Sequence, residues 1–191
     1  MGKEARIAVE IVGVEPGLLM HRFDMETEAG LMKSSGVVAK AKEPPGVDAE
    51  KAAYRLEDGR LYQPAEHIFQ AMRRAASNTR IQGQGKKTFK DRVQGLLVIT
   101  PEYIPHVADN GGPRKEYEID SRPVRIQRAR IVRHRPRLPE WRLKCQFLIT
   151  DVSLLPVDVA ETILIDAGNM QGIGDYRPRF GRFRVAEFKE V

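Results

Sequence analysis

From Arg6 to Val14 apolar and polar residues alternate, with Ile7, Val9 and Ile11 on one face and Arg6, Ala8 and Glu10 on the other, which predicts a half-buried strand turned by Pro16-Gly17. The clearest strand lies later: Trp141, Leu143, Cys145, Phe147 and Ile149 point one way while Arg142, Lys144, Gln146 and Leu148 point the other. Its expected partner is Pro123 to His134, joined to it through His134-Arg135-Pro136-Arg137-Leu138-Pro139. In that partner Ile131 breaks the parity shared by Val124, Ile126 and Val132, which predicts a bulge around Arg128. Leu96–Tyr103 and Arg182–Phe188 also read as strands. Helical spacing appears twice. Ala65, Ile68, Phe69, Met72 and Ala76 follow Pro64, placed as a first helical residue, in a helix ending near Asn78; Val159, Ile163, Leu164 and Ala167 follow Pro156 in a helix that Gly168 should end. Gly30 to Asp58 is poor in large apolar residues and carries Ser34-Ser35-Gly36 and Pro44-Pro45-Gly46, so a long, partly mobile insertion is expected at about 25–60. Thr79 to Lys87, with Gly83 and Gly85, reads as a polar loop.

The resulting order, close to β-α-β-β-α-β, predicts an α+β protein: a ferredoxin-like or RRM-like antiparallel sheet backed by two helices, with an insertion after the first strand and an extended basic hairpin. The 191 residues fit a single domain spanning 1–191. No apolar run approaches the ~20 residues of a membrane helix, and the opening Met1-Gly2-Lys3-Glu4-Ala5-Arg6 is unlike a secretory signal, so no membrane association and a cytoplasmic location are expected. One cysteine, Cys145, excludes an intramolecular disulfide, and four scattered histidines offer no zinc spacing. No cofactor is expected.

Net charge is only +6, but its distribution is uneven. Between Ser121 and Lys144, Arg122, Arg125, Arg128, Arg130, Arg133, Arg135, Arg137, Arg142 and Lys144 face a single acid, Glu140. Between Arg73 and Arg92, the bases Arg73, Arg74, Arg80, Lys86, Lys87, Lys90 and Arg92 face only Asp91. Charge segregated in this way is the footprint of a surface that grips phosphate backbones. The plainer alternative is a solvated strand pair whose arginines meet acids elsewhere in the chain. Arg135 and Arg137, held by Pro136 and Pro139 in a stiff turn, are the better backbone contacts; Trp141 is core or edge packing.

The most informative string runs from Gly168 to Val185. Gly172, Gly174 and Gly181 free the backbone for close approach to a ligand, Arg177 and Arg179 add charge, and Tyr176 and Phe180 offer rings for stacking on bases. Because the string follows a helix and precedes a strand, it is not a dinucleotide fingerprint, and it lacks the ending of an NTPase phosphate loop. A mobile connection whose glycines serve turns is the competing reading.

Gly172-Ile173-Gly174 with Phe180-Gly181-Arg182-Phe183, between the last helix and last strand, resembles the glycine-rich loop of the RAMP superfamily, the RNA-binding subunits of CRISPR systems. Tyr62-Gln63-Pro64-Ala65-Glu66-His67-Ile68 resembles the entry to that family's first helix, and the insertion and basic hairpin resemble embellishments of its Cas7-like backbone subunits. The resemblance implies a non-catalytic protein that polymerises along single-stranded guide RNA, with copies of itself and other CRISPR effector subunits as partners. A phage or mobile-element protein coating single-stranded DNA is an alternative. A second alternative is an endoribonuclease, since RAMP nucleases use a histidine near the amino-terminal part of the fold and some backbone subunits an aspartate after strand 1. Here His21 would move a proton at a 2′-hydroxyl while Arg22 steadies the phosphate, and Asp24 lies in the loop concerned. His67, on a helix face, reads as structural, and His106 has no evident partner.

Overall fold

The computed structural model describes residues 2–22, 44–108, 111–126 and 129–191, apart from the side chains of 125, 126, 129 and 130. In chain order these residues form β1 (Ala5–Gly13), β2 (Leu18–Leu19), α1 (Pro45–Ala52), β3 (Tyr62–Pro64), α2 (Ala65–Ala75), α3 (Lys90–Leu96), β4 (Leu97–Thr100), β5 (Tyr103–Pro105), β6 (Glu118–Ile126), β7 (Ala129–Leu138), β8 (Arg142–Ile149), α4 (Val157–Asp166), a π turn (Ala167–Gln171) and β9 (Phe183–Glu190). The protein is α+β.

Its main sheet is antiparallel with the order β4-β8-β1-β9. Ile7 pairs with Phe147, Val9 with Cys145 and Ile11 with Leu143, so the apolar parities of β1 and β8 coincide on one face. There they form a core with Ile68 and Met72 of α2 and Ile163 and Leu164 of α4. The chain thus runs from β1 through α2 to β4, and from β8 through α4 to β9, with both helices covering the same face. This arrangement is compatible with a ferredoxin-like fold. The other face carries Arg6, Ala8, Glu10 and Val12 opposite Leu148, Gln146, Lys144 and Arg142.

Both main helices begin one residue later than the spacing suggests, because Pro64 and Pro156 sit at the N-cap with ψ of 131° and 147°, outside the helical region. The second does not stop at Gly168. It continues as the π turn to Gly172, whose φ of +65° ends it. Gly168 instead permits close packing, since a Cβ there would overlap the Phe183 carbonyl.

The expected pairing of Pro123–His134 with the Trp141–Ile149 strand does not form. β8 is flanked on both sides, by β1 and β4, and the arginine-rich segment folds on itself as the β6–β7 hairpin, Val124 opposite Ile131 and Arg122 opposite Arg133. Satisfied edges on β8 leave no ladder for a third strand. His134 to Leu138 is accordingly strand, with β2 adding to it through Leu18–Leu138 and Leu19–Arg137. Residues 127–128, where a bulge was expected, lie outside those described.

Within the expected insertion, residues 23–43 are also outside the described set, whereas Pro45–Ala52 forms α1 against the hairpin, burying Ala49 and Ala52. Pro45 in the first turn starts this helix, because its missing N–H is one that a first turn leaves unused anyway. The short α3 buries only Val93 and so leaves almost no periodic signal. No helix among the described residues is long and apolar enough to cross a membrane.

Candidate nucleic-acid interface

The glycine-rich loop is docked on the β1–β2 segment. Gly181 N–H donates to the Gly17 carbonyl (2.8 Å), Asp175 N–H to that of Leu19 (2.9 Å), and Ile173 N–H to that of Gly181 (2.9 Å). A side chain at Gly174 would meet Leu18 and the Leu19 carbonyl, and one at Gly181 would overlap the Ile173 carbonyl. With φ of +76° at both positions, glycine is required for this backbone-on-backbone approach. The amides of Gly172, Phe180 and Tyr176 are bonded as well, to Ala167, Tyr176 and the Asp175 carboxylate. Most of the loop amides able to cradle a phosphate are thus occupied by the protein, and the loop's chemistry rests on its side chains.

Those side chains divide. Phe180 is buried, with the Arg122 guanidinium 4.7 Å from its ring centre. Tyr176 is about half exposed, in the left-handed region (φ 57°) that non-glycine residues rarely adopt. Arg177 and Arg179 are exposed. Partial desolvation and the nearby positive charge of Arg74 lower the Arg177 pKa, against a weaker opposing effect from Asp175. Arg74, on the exposed side of α2, lies close enough for the two cations to repel. Neither makes an ion pair among the described residues.

Several hairpin arginines proposed from sequence have internal work. Arg135 is buried, its Nε 2.8 Å from an Asp175 oxygen. That contact is a charge contact rather than an aligned hydrogen bond, since the Arg135 Nε and Nη1 and the Asp175 Oδ2 lack well-directed partners. Arg137 donates to the Pro16 carbonyl (3.2 and 3.3 Å) and approaches Glu118. Arg142 lies on the open sheet face 2.6 Å from Glu10, which also meets Lys144. Arg133 donates to His21 Nε2 (2.8 Å). The side chains of Arg125, Arg128 and Arg130, and all of Asp24, fall outside the described residues. In the other basic cluster, Lys86 and Lys87 are exposed on the loop before α3, Lys90 is half-buried, and Arg73 bonds Gln70 and Gln94.

His21 follows β2, its carbonyl accepting from the Tyr54 hydroxyl (3.0 Å). With Arg133 donating to Nε2, that nitrogen's lone pair is engaged and cannot take a substrate proton unless Arg133 withdraws. His67 bonds through Nδ1 to the Gln63 side chain and stays neutral: burial, then the Arg177 charge, depress its pKa to about 4. His106 is wholly buried beside Trp141 with neither ring nitrogen hydrogen-bonded, and burial lowers its pKa to about 3. Burial pushes the Cys145 thiol up to about 12, which leaves it unreactive at neutral pH. Among the described residues no three His, Cys, Asp or Glu side chains converge as a metal-binding group.

Sequence reasoning missed Tyr54, Tyr62 and Tyr103, which the fold brings into one row beside Arg22 and His67. They lie on three segments separated by up to 49 positions, so only strand pairing reveals them. Compared with known proteins, the chain matches no protein-family model, and no curated protein matches its sequence.

Proposed function

We propose that this chain is a non-catalytic single-stranded nucleic-acid-binding protein with a ferredoxin-like, RAMP-like architecture, binding RNA in the favoured case and single-stranded DNA in the alternative. The observation that carries the reading is the approach of Arg74 and Arg177 beside the docked glycine-rich loop. The like charges of Arg74 and Arg177 repel, an effect that Asp175 offsets only in part, and a bound anion relieves that repulsion. Arg22, Lys86, Lys87 and Arg179 are further exposed cations. The binding set is narrower than the arginine count suggests, since Arg135, Arg137 and Arg142 already face protein carboxylates or carbonyls. Engagement of His21 Nε2 by Arg133 favours binding over RNA cleavage.

Anisotropy of labelled single-stranded RNA, single-stranded DNA and duplex DNA, measured side by side, tests this. Four to six phosphate contacts give a log–log salt slope of roughly −3 to −4 for single strands. The doubly reversed variant R74E/R177E should bind at least about 10-fold more weakly than the native chain and show a shallower slope. Salt-insensitive binding, or unchanged binding by that variant, overturns the reading.

A further inference from the structure

We infer that Tyr103, Tyr62, Tyr54 and His67 form a stacking platform for unpaired nucleobases; this rests on the nucleic-acid reading above and names the part of the ligand that the rings recognise. β3 and β5 pair antiparallel with Gln63 opposite Ile104, both fully buried. Residues one step away on either strand therefore project to the opposite, outer face, which places Tyr62 and Tyr103 together there. Their ring centres are 4.8 Å apart. Tyr62 N–H donates to the Tyr54 carbonyl (3.0 Å), adding a third backbone segment, and the Tyr54 ring lies 5.6 Å from Tyr62 and 5.5 Å from His67. Four rings from three segments of the chain thus form a row, each ring tilted 56–79° from the next. Tyr103 at one end is 48% exposed, while Tyr54, Tyr62 and His67 are half-buried and anchored.

The rings and the arginines around them together favour one occupant. The Arg22 charge acts on Tyr54 and Tyr62, and the Arg177 charge acts on His67 at the far end of the row, with Arg74 next to Arg177. The negative charges of Glu102, Asp175 and Glu66 act on Tyr62, Tyr54 and His67 in turn. Rings flanked by exposed arginines suit a ligand with flat π-faces and a regularly spaced anionic backbone. A single strand supplies both, its bases on the rings and its phosphates on the arginines. A proline-rich peptide would also use a tyrosine row, but has no need of the cations.

The test uses the full chain with two probes of equal length, oligo-uridylate and an abasic sugar-phosphate oligomer, compared by anisotropy. The native protein should bind the base-bearing probe about 10-fold more tightly than the abasic one. Tyr103→Ala, at an exposed position, should erase most of that preference by weakening the base-bearing probe far more than the abasic one, while lowering the melting temperature by no more than a few degrees; Tyr103→Phe should retain the preference. Equal binding of the two probes by the native protein, or an unchanged preference in Tyr103→Ala, overturns the platform while the phosphate-binding reading stands. Failure to bind either probe overturns both. Binding of a ten-residue polyproline peptide, lost in Tyr103→Ala and without oligonucleotide binding, reassigns the row to a peptide and likewise overturns the inference.

Discussion

Arg135, buried in β7, places its Nε 2.8 Å from a carboxylate oxygen of Asp175, so a charge contact joins the arginine-rich hairpin to the glycine-rich loop alongside the Arg122 guanidinium over the Phe180 ring. The consequence is that two segments with the same apparent role in the sequence support each other in the structure. One positions the other.

Removing the negative partner should therefore cost more than removing the pair. Asp175→Asn leaves a buried guanidinium without a counter-charge, a change that typically costs about 3 kcal/mol or more when both partners are buried and somewhat less here, since Asp175 is partly exposed. The double variant Arg135→Met, Asp175→Asn, which also removes the stranded charge, should recover part of the loss. Urea unfolding of both variants checks this; a double variant less stable than Asp175→Asn would show that Arg135 stabilises by packing rather than by charge.

The sheet and its two covering helices were legible because the periods of 2 and 3.6 are strong in β1, β8, α2 and α4. Which strand pairs with which was not legible. The arginine segment has the same alternation whether it lies beside β8 or folds on itself, and only the competition of β1 and β4 for the edges of β8 decides it. For the site, Arg74, Arg177 and Arg179 could be read directly as exposed charge. The internal duties of Arg135, Arg137 and Arg142 could not, since their partners Asp175, Pro16 and Glu10 are 40, 121 and 132 positions away. The glycines were expected to let the backbone approach a ligand, whereas at Gly174 and Gly181 the observed need for glycine arises from Ile173, Leu18 and Leu19 of the protein itself.

Gly181→Ala should be strongly destabilising. The substitution combines a φ of +76° with overlap of the new Cβ and the Ile173 carbonyl, a backbone atom that cannot swing aside. A loss of about 2–4 kcal/mol is expected, or a fall in melting temperature of roughly 5–15 °C for a chain of this size. Gly83→Ala, also at positive φ (+73°) but with open space around it, should cost only about 1 kcal/mol. Thermal melts of the two variants separate steric docking from backbone conformation alone.

Stability should fall as pH drops below about 6.5. His106 and His67 titrate near 6.5 in the unfolded chain but only at about 3 and about 4 in the fold, because burial disfavours their charged forms. Between those values the unfolded chain holds more protons, so the free energy of unfolding rises with pH across the window and is lost as pH falls through it. His106→Leu removes one titrating group and two buried nitrogens that lack hydrogen bonds. Its melting temperature should change less between pH 7 and pH 5 than that of the native protein. An equal change in both proteins would show that His106 is already protonated in the fold.

The Arg142–Glu10–Lys144 cluster on the open face of the main sheet should contribute little to nucleic-acid affinity despite its two cations. Glu10, only 8% exposed, holds Arg142 at 2.6 Å and Lys144 at 3.1 Å, so the three charges leave a net of about +1 spread over a short distance. Phosphate binding there would have to compete with a carboxylate already in contact with both cations, whereas Arg177 has Arg74 as its charged neighbour on α2. Arg142→Gln should therefore alter affinity for single strands by less than about 2-fold, within the scatter of an exposed pair, while Arg177→Gln should weaken it about 3- to 10-fold and reduce the salt slope by about 0.7. If the two variants behave the other way round, the strand crosses the sheet face, and the loop arginines have another ligand.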